Sequence, residues 1–427
     1  MRSAPSTARI TPAARLRGRL TLPADKSIAH RALIIGALSG GPTTVVIRSP
    51  GRDVLSTVAC LRALGVAITE DDGRFVISGR PSRDASLDCG NSGTTMRLLA
   101  GAVAGLPLRV TLDGDGSLHG RPMERVAILL RAAGAEVTTT DGHAPMTIAG
   151  RASLAPAAHV LPVASAQLLG AAALAGLSAD GETIIAAPGS TRDHTERMLN
   201  WTGVAIRREG LVTILTGPAR PRPFELEVPG DPSAASAWLV AGSVHPDAEI
   251  TLEGVGINPT RLALVGLLRS MGSEIEVHAT DEAGPELVGD ITVRGGHPLR
   301  AVDIGEDDVT ELIDELPLVA VAMASCEAES VVRGADELRV KESDRIAATV
   351  AGLQAIGAEV TELPDGWRVR RGTPMAARIA THGDHRIAIA FAVAATIGLA
   401  ESVELDDPEC TSVSYPDFWS DLAAVTR

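Results

Sequence analysis

Aromatic side chains are nearly missing from this chain: four Trp, four Phe and one Tyr make up 2% of its 427 residues, although 45% of the residues are hydrophobic. A core with so few rings has to be filled by Ala, Val, Leu and Ile, with 43 glycines available for tight turns and close approaches of backbone. Cysteine is scarce too. Cys60, Cys89, Cys326 and Cys410 stand far apart with no CxxC pair, which excludes a disulfide scaffold and a zinc ribbon and fits a reducing cytosol. Positive charge is in the minority, 39 Lys and Arg against 53 Asp and Glu, and the net charge of -14 argues against a broad nucleic-acid surface. Any anion site must therefore be local. No run approaches the ~18 apolar residues of a membrane helix. The first twenty residues hold five arginines and no acid, but lack the apolar stretch of a secretory signal, and they read as two short strands near Ala8–Ile10 and Gly18–Leu22.

What is present is an anion receptor repeated along the chain. In Pro23-Ala-Asp-Lys-Ser-Ile-Ala-His-Arg31, residues Lys26, Ser27 and Arg31 open an apolar helical run that continues to Leu38. A helix start already offers unpaired N–H groups and positive dipole potential, so cations and a hydroxyl placed there make a site for a charged ligand. Gly90-Asn-Ser-Gly-Thr-Thr-Met-Arg97 is a glycine-rich turn opening a second helix, whose glycines let backbone approach a ligand and whose Asn91, Thr94 and N–H groups can hold phosphate or carboxylate oxygens, and it is not a Walker loop because no Gly-Lys-Ser/Thr follows. His119-Gly-Arg-Pro122 sets Arg121 at another helix entry, with Pro122 suited to the first turn. Ser165-Ala-Gln167 opens an Ala-rich helix. Thr191-Arg-Asp-His-Thr-Glu196 opens the next, and either a Thr/Glu capping arrangement or a binding role for Arg192 accounts for it. Gly230-Asp-Pro-Ser233 reads as a helix cap and no more.

The densest charge lies in Glu337-Leu-Arg-Val-Lys-Glu-Ser-Asp-Arg345, where Lys341, Glu342 and Arg345 gather at a helix start instead of lining a solvated face. Asp314 and Glu315 precede an apolar helix, and Asp384-His-Arg386 precedes another. His382 and His385 have no third ligand at a recognisable spacing, so a metal site is not expected.

A phrase recurs through the chain: an amphipathic helix end, a glycine, then a strand. The glycines are Gly65, Gly134, Gly203, Gly272 and Gly357, spaced 69, 69, 69 and 85 residues apart. Each such repeat is long enough for about two helices and several strands, too long for a solenoid. A sixth repeat fits in the remaining length, and two lobes of three repeats, divided near Glu227-Val-Pro-Gly230, is the economical arrangement.

DKSIAHR, GNSGTTMR, HGRP, SAQ, TRDHTE, ELRVKESDR and GDHR, in this order, make the chain resemble the 5-enolpyruvylshikimate-3-phosphate synthase family from about Leu20 to Leu422. The resemblance implies an α/β enolpyruvyl transferase fold of two lobes, each of three βαβαββ units, with residues 24–229 as one lobe, residues 1–23 and 230–427 as the other, and the active site in the interlobe cleft. It implies transfer of the enolpyruvyl group of phosphoenolpyruvate to the 5-hydroxyl of shikimate 3-phosphate. By motif position, Lys26, Ser27, Arg31, Ser165, Gln167, Arg192, Asp314 and Lys341 are expected to hold shikimate 3-phosphate, and Lys26, Gly93, Arg121, Gln167, Arg345 and Arg386 to hold phosphoenolpyruvate. Asp314, Glu342 and Lys26 are the implied catalytic groups, with no cofactor and no metal. The expected protein is a cytoplasmic monomer without nucleic-acid or membrane partners, acting in aromatic amino acid biosynthesis, and Gly93 matches the glyphosate-sensitive pattern.

Charge balance is consistent with that set. Two phosphate esters and two carboxylates bring about five to six negative charges near neutral pH, and Lys26, Arg31, Arg121, Arg192, Lys341, Arg345 and Arg386 supply seven positive ones. The family spelling is not followed everywhere. Ala24 and Ala29 stand where a glycine and a serine are commonest, and Val413 where one branch carries a phosphate-contacting lysine. Three rivals remain open at this level. One is a relative acting on UDP-N-acetylglucosamine, which has a cysteine where this chain has Gly116. The others are a non-catalytic anion-binding paralogue and an RNA-end-processing relative.

Overall fold

The computed structural model describes residues 8–427. The chain forms two bodies. The N-terminal lobe comprises Ala24–Val228 with the short segment Glu282–Glu286, and the C-terminal lobe comprises residues 8–23, Pro229–Asp281 and Leu287–Arg427. Residues 1–7 of the N-terminal segment expected to join the C-terminal lobe lie outside the described residues.

In the N-terminal lobe the 69-residue repeat becomes a four-stranded sheet with two helices. Ala85–Asp88 pairs in parallel with Arg109–Asp113, which pairs antiparallel with His143–Ala149, which closes a hairpin with Glu136–Thr140. The sheet of Ala157–Val160, Glu182–Ala186, Val212–Thr216 and Ile206–Glu209 repeats that order and those directions. So does the sheet of Thr43–Val46, Arg74–Ser78 and Ala67–Asp71, except that its first strand, Glu225–Glu227, comes from the far end of the lobe. The C-terminal lobe makes the same substitution. Its first sheet joins Ala248–Gly256, Glu286–Arg294 and Glu274–Ala283 to Leu16–Thr21, a strand from the other side of the inserted lobe. That strand begins and ends earlier than the expected Gly18–Leu22.

The repeated glycines have a single cause. Gly65, Gly134, Gly203, Gly272 and Gly357 all have φ between 90° and 106°, the left-handed region that a side chain disfavours, where the helix must turn into the hairpin. The sixth repeat departs from the βαβαββ pattern. After Ala376–Ile379, helix His385–Thr396 and Ser402–Leu405 no hairpin follows, and the sheet is completed to three strands by Ala8–Ile10, antiparallel to Ser402–Leu405. A hairpin turn is not needed there, which is why no glycine stands in phase.

Each lobe has its own core, and neither core shares a residue with the other. Three helices form the centre of the N-terminal lobe: Lys26–Ser39, Gly93–Ala104 and Ala166–Gly176, buried on nearly every face beyond their first turns. All-round apolar composition is what a fully buried helix requires. The C-terminal lobe has Pro232–Val244, Leu316–Met323 and His385–Thr396 in the same role. Small residues set how close such helices come. A Cβ on Gly101 would lie 2.2 Å from the carbonyl oxygen of Ala171, so the Gly93 and Ala166 helices meet backbone to backbone. The scarce rings collect in the C-terminal lobe, where Trp238 stacks on Phe418 at 5.7 Å, Tyr415 meets both edge-on, and Trp419 packs on Phe418.

Candidate active site

Polar groups in each lobe gather where its buried helices begin. In the N-terminal lobe the starts are capped by Asp25, Ser92 and Ser165, whose side chains accept from Ile28 N, Thr95 N and Leu168 N. Lys26, the first helical residue, puts Nζ 2.9 Å from Asp53 Oδ2, and the carbonyl of the same Asp53 accepts from Thr95 Oγ1 at 3.3 Å. Behind them a chain of hydroxyls is sealed in the core: His30 Nδ1 to Thr57 Oγ1 at 2.7 Å, then Thr95 Oγ1 at 2.7 Å, then Ser92 Oγ at 2.8 Å.

Arg31 ties the helix starts together. Only 3% exposed, it donates from Nε to Thr195 Oγ1 at 2.7 Å and from its terminal nitrogens to the carbonyls of Ser27 at 2.8 Å and Ala166 at 3.2 Å. Burial pushes its pKa down to about 10, with Glu196 and Asp25 opposing and Arg192 adding to the fall, so the guanidinium remains charged at neutral pH. Gln167 bridges the next pair of helices, accepting from Arg97 at 2.7 Å and donating to Thr94 Oγ1 at 3.0 Å. Arg121, also buried, donates to Asn91 Oδ1 and, at 3.3 Å, to Ser117 Oγ. Gly93 is wedged between two guanidinium groups: a Cβ there would sit 2.9 Å from Arg97 and 3.2 Å from Arg121. Thus Lys26, Ser27, Arg31, Gly93, Arg121, Ser165 and Gln167 belong to one connected set, with Arg192 on the loop before helix His194–Trp201.

Two local expectations are corrected. Pro122 does not stand in the first turn of a helix, because Asp115 caps a separate short helix, Gly116–His119, and the next helix starts at Glu124 with Met123 as its N-cap. In the TRDHTE stretch there is no capping box: Asp193 is the N-cap residue without a side-chain cap bond, and Glu196 accepts from Thr213 Oγ1 at 3.2 Å and meets Arg208 at 3.6 Å.

In the C-terminal lobe the centre is Arg345, 1% exposed and the first residue of helix Arg345–Ala355. Three carboxylates surround it. Asp384 takes bonds at 2.8 and 3.2 Å, Glu342 lies at 2.7 Å and Asp314 at 3.8 Å. Burial alone would lower the pKa of Arg345, but Asp384, Glu342 and Asp314 outweigh it and raise it above the usual guanidinium range. Asp384 also caps the His385 helix, accepting from Arg386 N at 2.9 Å, and takes a bond from Ser343 Oγ at 2.9 Å. Arg386 donates to the Ser233 carbonyl at 3.3 Å. Ser233 Oγ in turn receives Arg261 at 2.7 Å and donates to Glu315, while Arg261 also bonds Asp231 at 3.2 Å. Lys341 ends the 3-10 turn Asp336–Val340, four residues before Arg345. Gly230-Asp-Pro-Ser233 is thus a cap in part only, since the same residues seat Arg386.

Asp53 and Arg261, and the pairing of Asp384 with Arg345 and of Thr195 with Arg31, escaped the sequence reading, because each partner lies far along the chain from the residue it holds. The Asn258-Pro-Thr-Arg261 stretch, an Asx-capped 3-10 turn ending in a buried arginine, is the one with a local signal. Among the described residues no group of three His, Cys, Asp or Glu side chains is disposed to hold a metal ion, and no helix is long and apolar enough to cross a membrane.

Comparison with known proteins follows the same line. The family described as EPSP synthase (3-phosphoshikimate 1-carboxyvinyltransferase) matches residues 10–422. The 3-phosphoshikimate 1-carboxyvinyltransferase of Herpetosiphon aurantiacus is 43% identical over 427 residues, an alignment covering 97% of this chain and 98% of that protein. The EPSP synthase of Acinetobacter baumannii superposes with a TM-score of 0.86 at 36% identity, covering 98% of both chains. The enolpyruvyl transferase NikO of Streptomyces tendae, at 19% identity and a TM-score of 0.77 over 98% of this chain and 96% of its own, shares the fold. A match of this extent, on a framework of six related sheets in two lobes, makes the chain a member of the EPSP synthase family.

Proposed function

We propose that this protein is a 3-phosphoshikimate 1-carboxyvinyltransferase, moving the enolpyruvyl group of phosphoenolpyruvate to the 5-hydroxyl of shikimate 3-phosphate and releasing phosphate. Family membership supplies the reaction, and the observation that carries it to these residues is the gathering of Asp314 and Glu342 on the buried Arg345.

The reaction breaks a carbon–oxygen bond. The methylene carbon of phosphoenolpyruvate takes a proton, the neighbouring carbon becomes cationic, and the 5-hydroxyl oxygen bonds to it while losing its own proton. Departure of phosphate and loss of a proton from the new methyl group then restore the double bond. Such a sequence needs one carboxyl group that protonates carbon and one carboxylate that accepts the hydroxyl proton. Glu342 and Asp314 take these roles in our reading, both tethered to one guanidinium that limits where each can point. Lys26 holds the leaving phosphate. Arg121, Arg345 and Arg386, with Gly93 and Gln167, receive phosphoenolpyruvate. Arg31, Arg192, Lys341, Ser27, Ser165 and Gln167, with Lys26 and Asp314, receive shikimate 3-phosphate. The planar fork of arginine suits both carboxylate and phosphate. We assign the protein to the cytoplasm as a monomer, with no nucleic-acid or membrane partner.

Phosphate release measured with phosphoenolpyruvate and either shikimate 3-phosphate or UDP-N-acetylglucosamine tests the assignment. Release with the first acceptor alone is expected, and release with the nucleotide sugar or with neither acceptor would refute it. Asp314→Asn is expected to bind both substrates and lose about 100-fold or more in kcat, and wild-type turnover in that variant would remove Asp314 from the chemistry.

A further inference from the structure

The first turn of helix His194–Trp201 is polar and yet sealed: His194 and Thr195 are 1% exposed and Glu196 is 7% exposed. Burying such a turn is costly unless its side chains are partnered. Thr195 has Arg31, whose Nε reaches its hydroxyl at 2.7 Å. His194 has Glu286, with Nδ1 2.7 Å from Oε1 and both side chains 1% exposed. Glu286 closes the turn Glu282–Glu286, a segment that belongs to the N-terminal lobe although it is ninety-two positions away in sequence. The same turn also lies against the far end of this helix: a Cβ on Gly284 would come within 3.0 Å of the Trp201 ring and 3.1 Å of Leu226. The helix is therefore held at its first residue by a buried hydrogen bond and at its last by packing.

A hydrophobic pair of the same size would stabilise this place about as well as a buried polar pair, because the hydrogen bond largely offsets only the cost of desolvating its own partners. What the hydrogen-bonded pair adds is a fixed direction. With His194 anchored, the helix cannot rotate about its axis, and the next residue, Thr195, is kept facing Arg31 Nε. We propose that Glu286 and His194 are positioning residues for the acceptor-binding arginine, setting the affinity for shikimate 3-phosphate through Thr195 and Arg31 while leaving phosphoenolpyruvate binding untouched. The inference rests on the assignment of Arg31 made above.

Steady-state kinetics of the full-length enzyme test it. Glu286→Ala and Thr195→Val are each expected to raise KM for shikimate 3-phosphate about tenfold, with KM for phosphoenolpyruvate and kcat within about twofold of wild type. Thr195→Ser restores the wild-type value, and the double variant Glu286→Ala/Thr195→Val is no worse than the poorer single one, because both act on one arginine. If Glu286→Ala does not fold, Glu286→Gln, which keeps an acceptor for the imidazole and drops the charge, is expected to give a smaller rise of the same kind. Equal rises in both KM values, or no rise in either, would overturn the proposal. Arg31→Ala separates the two levels. A raised KM for shikimate 3-phosphate there with unaffected Glu286 variants removes the relay alone, and an unchanged KM removes the role of Arg31 and the relay with it.

Discussion

Gly93 leaves space that a side chain would take from two guanidinium groups. A methyl group there would meet the ends of Arg97 and Arg121, which are flexible enough to move, so Gly93→Ala should fold normally but displace Arg121. The expected result is a rise of about tenfold or more in KM for phosphoenolpyruvate with little change for the acceptor, read by varying each substrate in turn. His30 makes a different prediction. Its ring is fully buried, and burial first, then the charges of Lys26 and Arg31, hold its pKa well below the usual histidine value. A group whose folded pKa is depressed favours the fold above its unfolded pKa, about 6.5, and that contribution is lost as pH falls below it. Melting temperatures at pH 7.5 and 5.5 should therefore fall more for wild type than for His30→Asn, which does not titrate.

At the scale of elements, the close crossing of the Gly93 and Ala166 helices positions Gln167 between Thr94 and Arg97. Gly101→Ala would force a methyl group against backbone, 2.2 Å from the Ala171 carbonyl oxygen and 2.6 Å from its Cα. A loss of about 3 kcal/mol is expected from denaturant unfolding, and a loss below about 1 kcal/mol would show that the crossing is looser than described. Helices and their glycine exits were legible in the sequence because both are local: apolar runs, caps such as Asp25 and Asp384, and left-handed glycines act within a few residues. The strand exchange followed only from the family resemblance, since Leu16–Thr21 and Glu225–Glu227 carry no mark of their own of which sheet they join. The sixth repeat's missing hairpin, whose place is filled by a strand nearly four hundred residues earlier, was not legible. For the site, the sequence offered the residues at helix starts but not their counter-charges, because Asp384 and Asp53 meet Arg345 and Lys26 only after folding.

For the whole molecule, each lobe carries a core of its own, as a unit able to unfold by itself does. Trp238, Trp367 and Trp419 lie in the C-terminal lobe and Trp201 in the other, so tryptophan fluorescence follows mainly one body while circular dichroism follows both. Urea unfolding curves from the two signals are expected not to coincide, and coincident curves would show a single cooperative transition.

The N-terminal lobe is a nearly continuous stretch interrupting the other, and the edges of that interruption are close together. Asp231 N donates to the Pro23 carbonyl at 2.9 Å, while Ala24 N and Val228 N bond carbonyls at the end of the same strand, those of Arg48 and Val46. In gene terms the arrangement is an insertion whose flanks are already sutured: the chain leaves the outer lobe at Pro23 and has come back to within one hydrogen bond of it by Asp231.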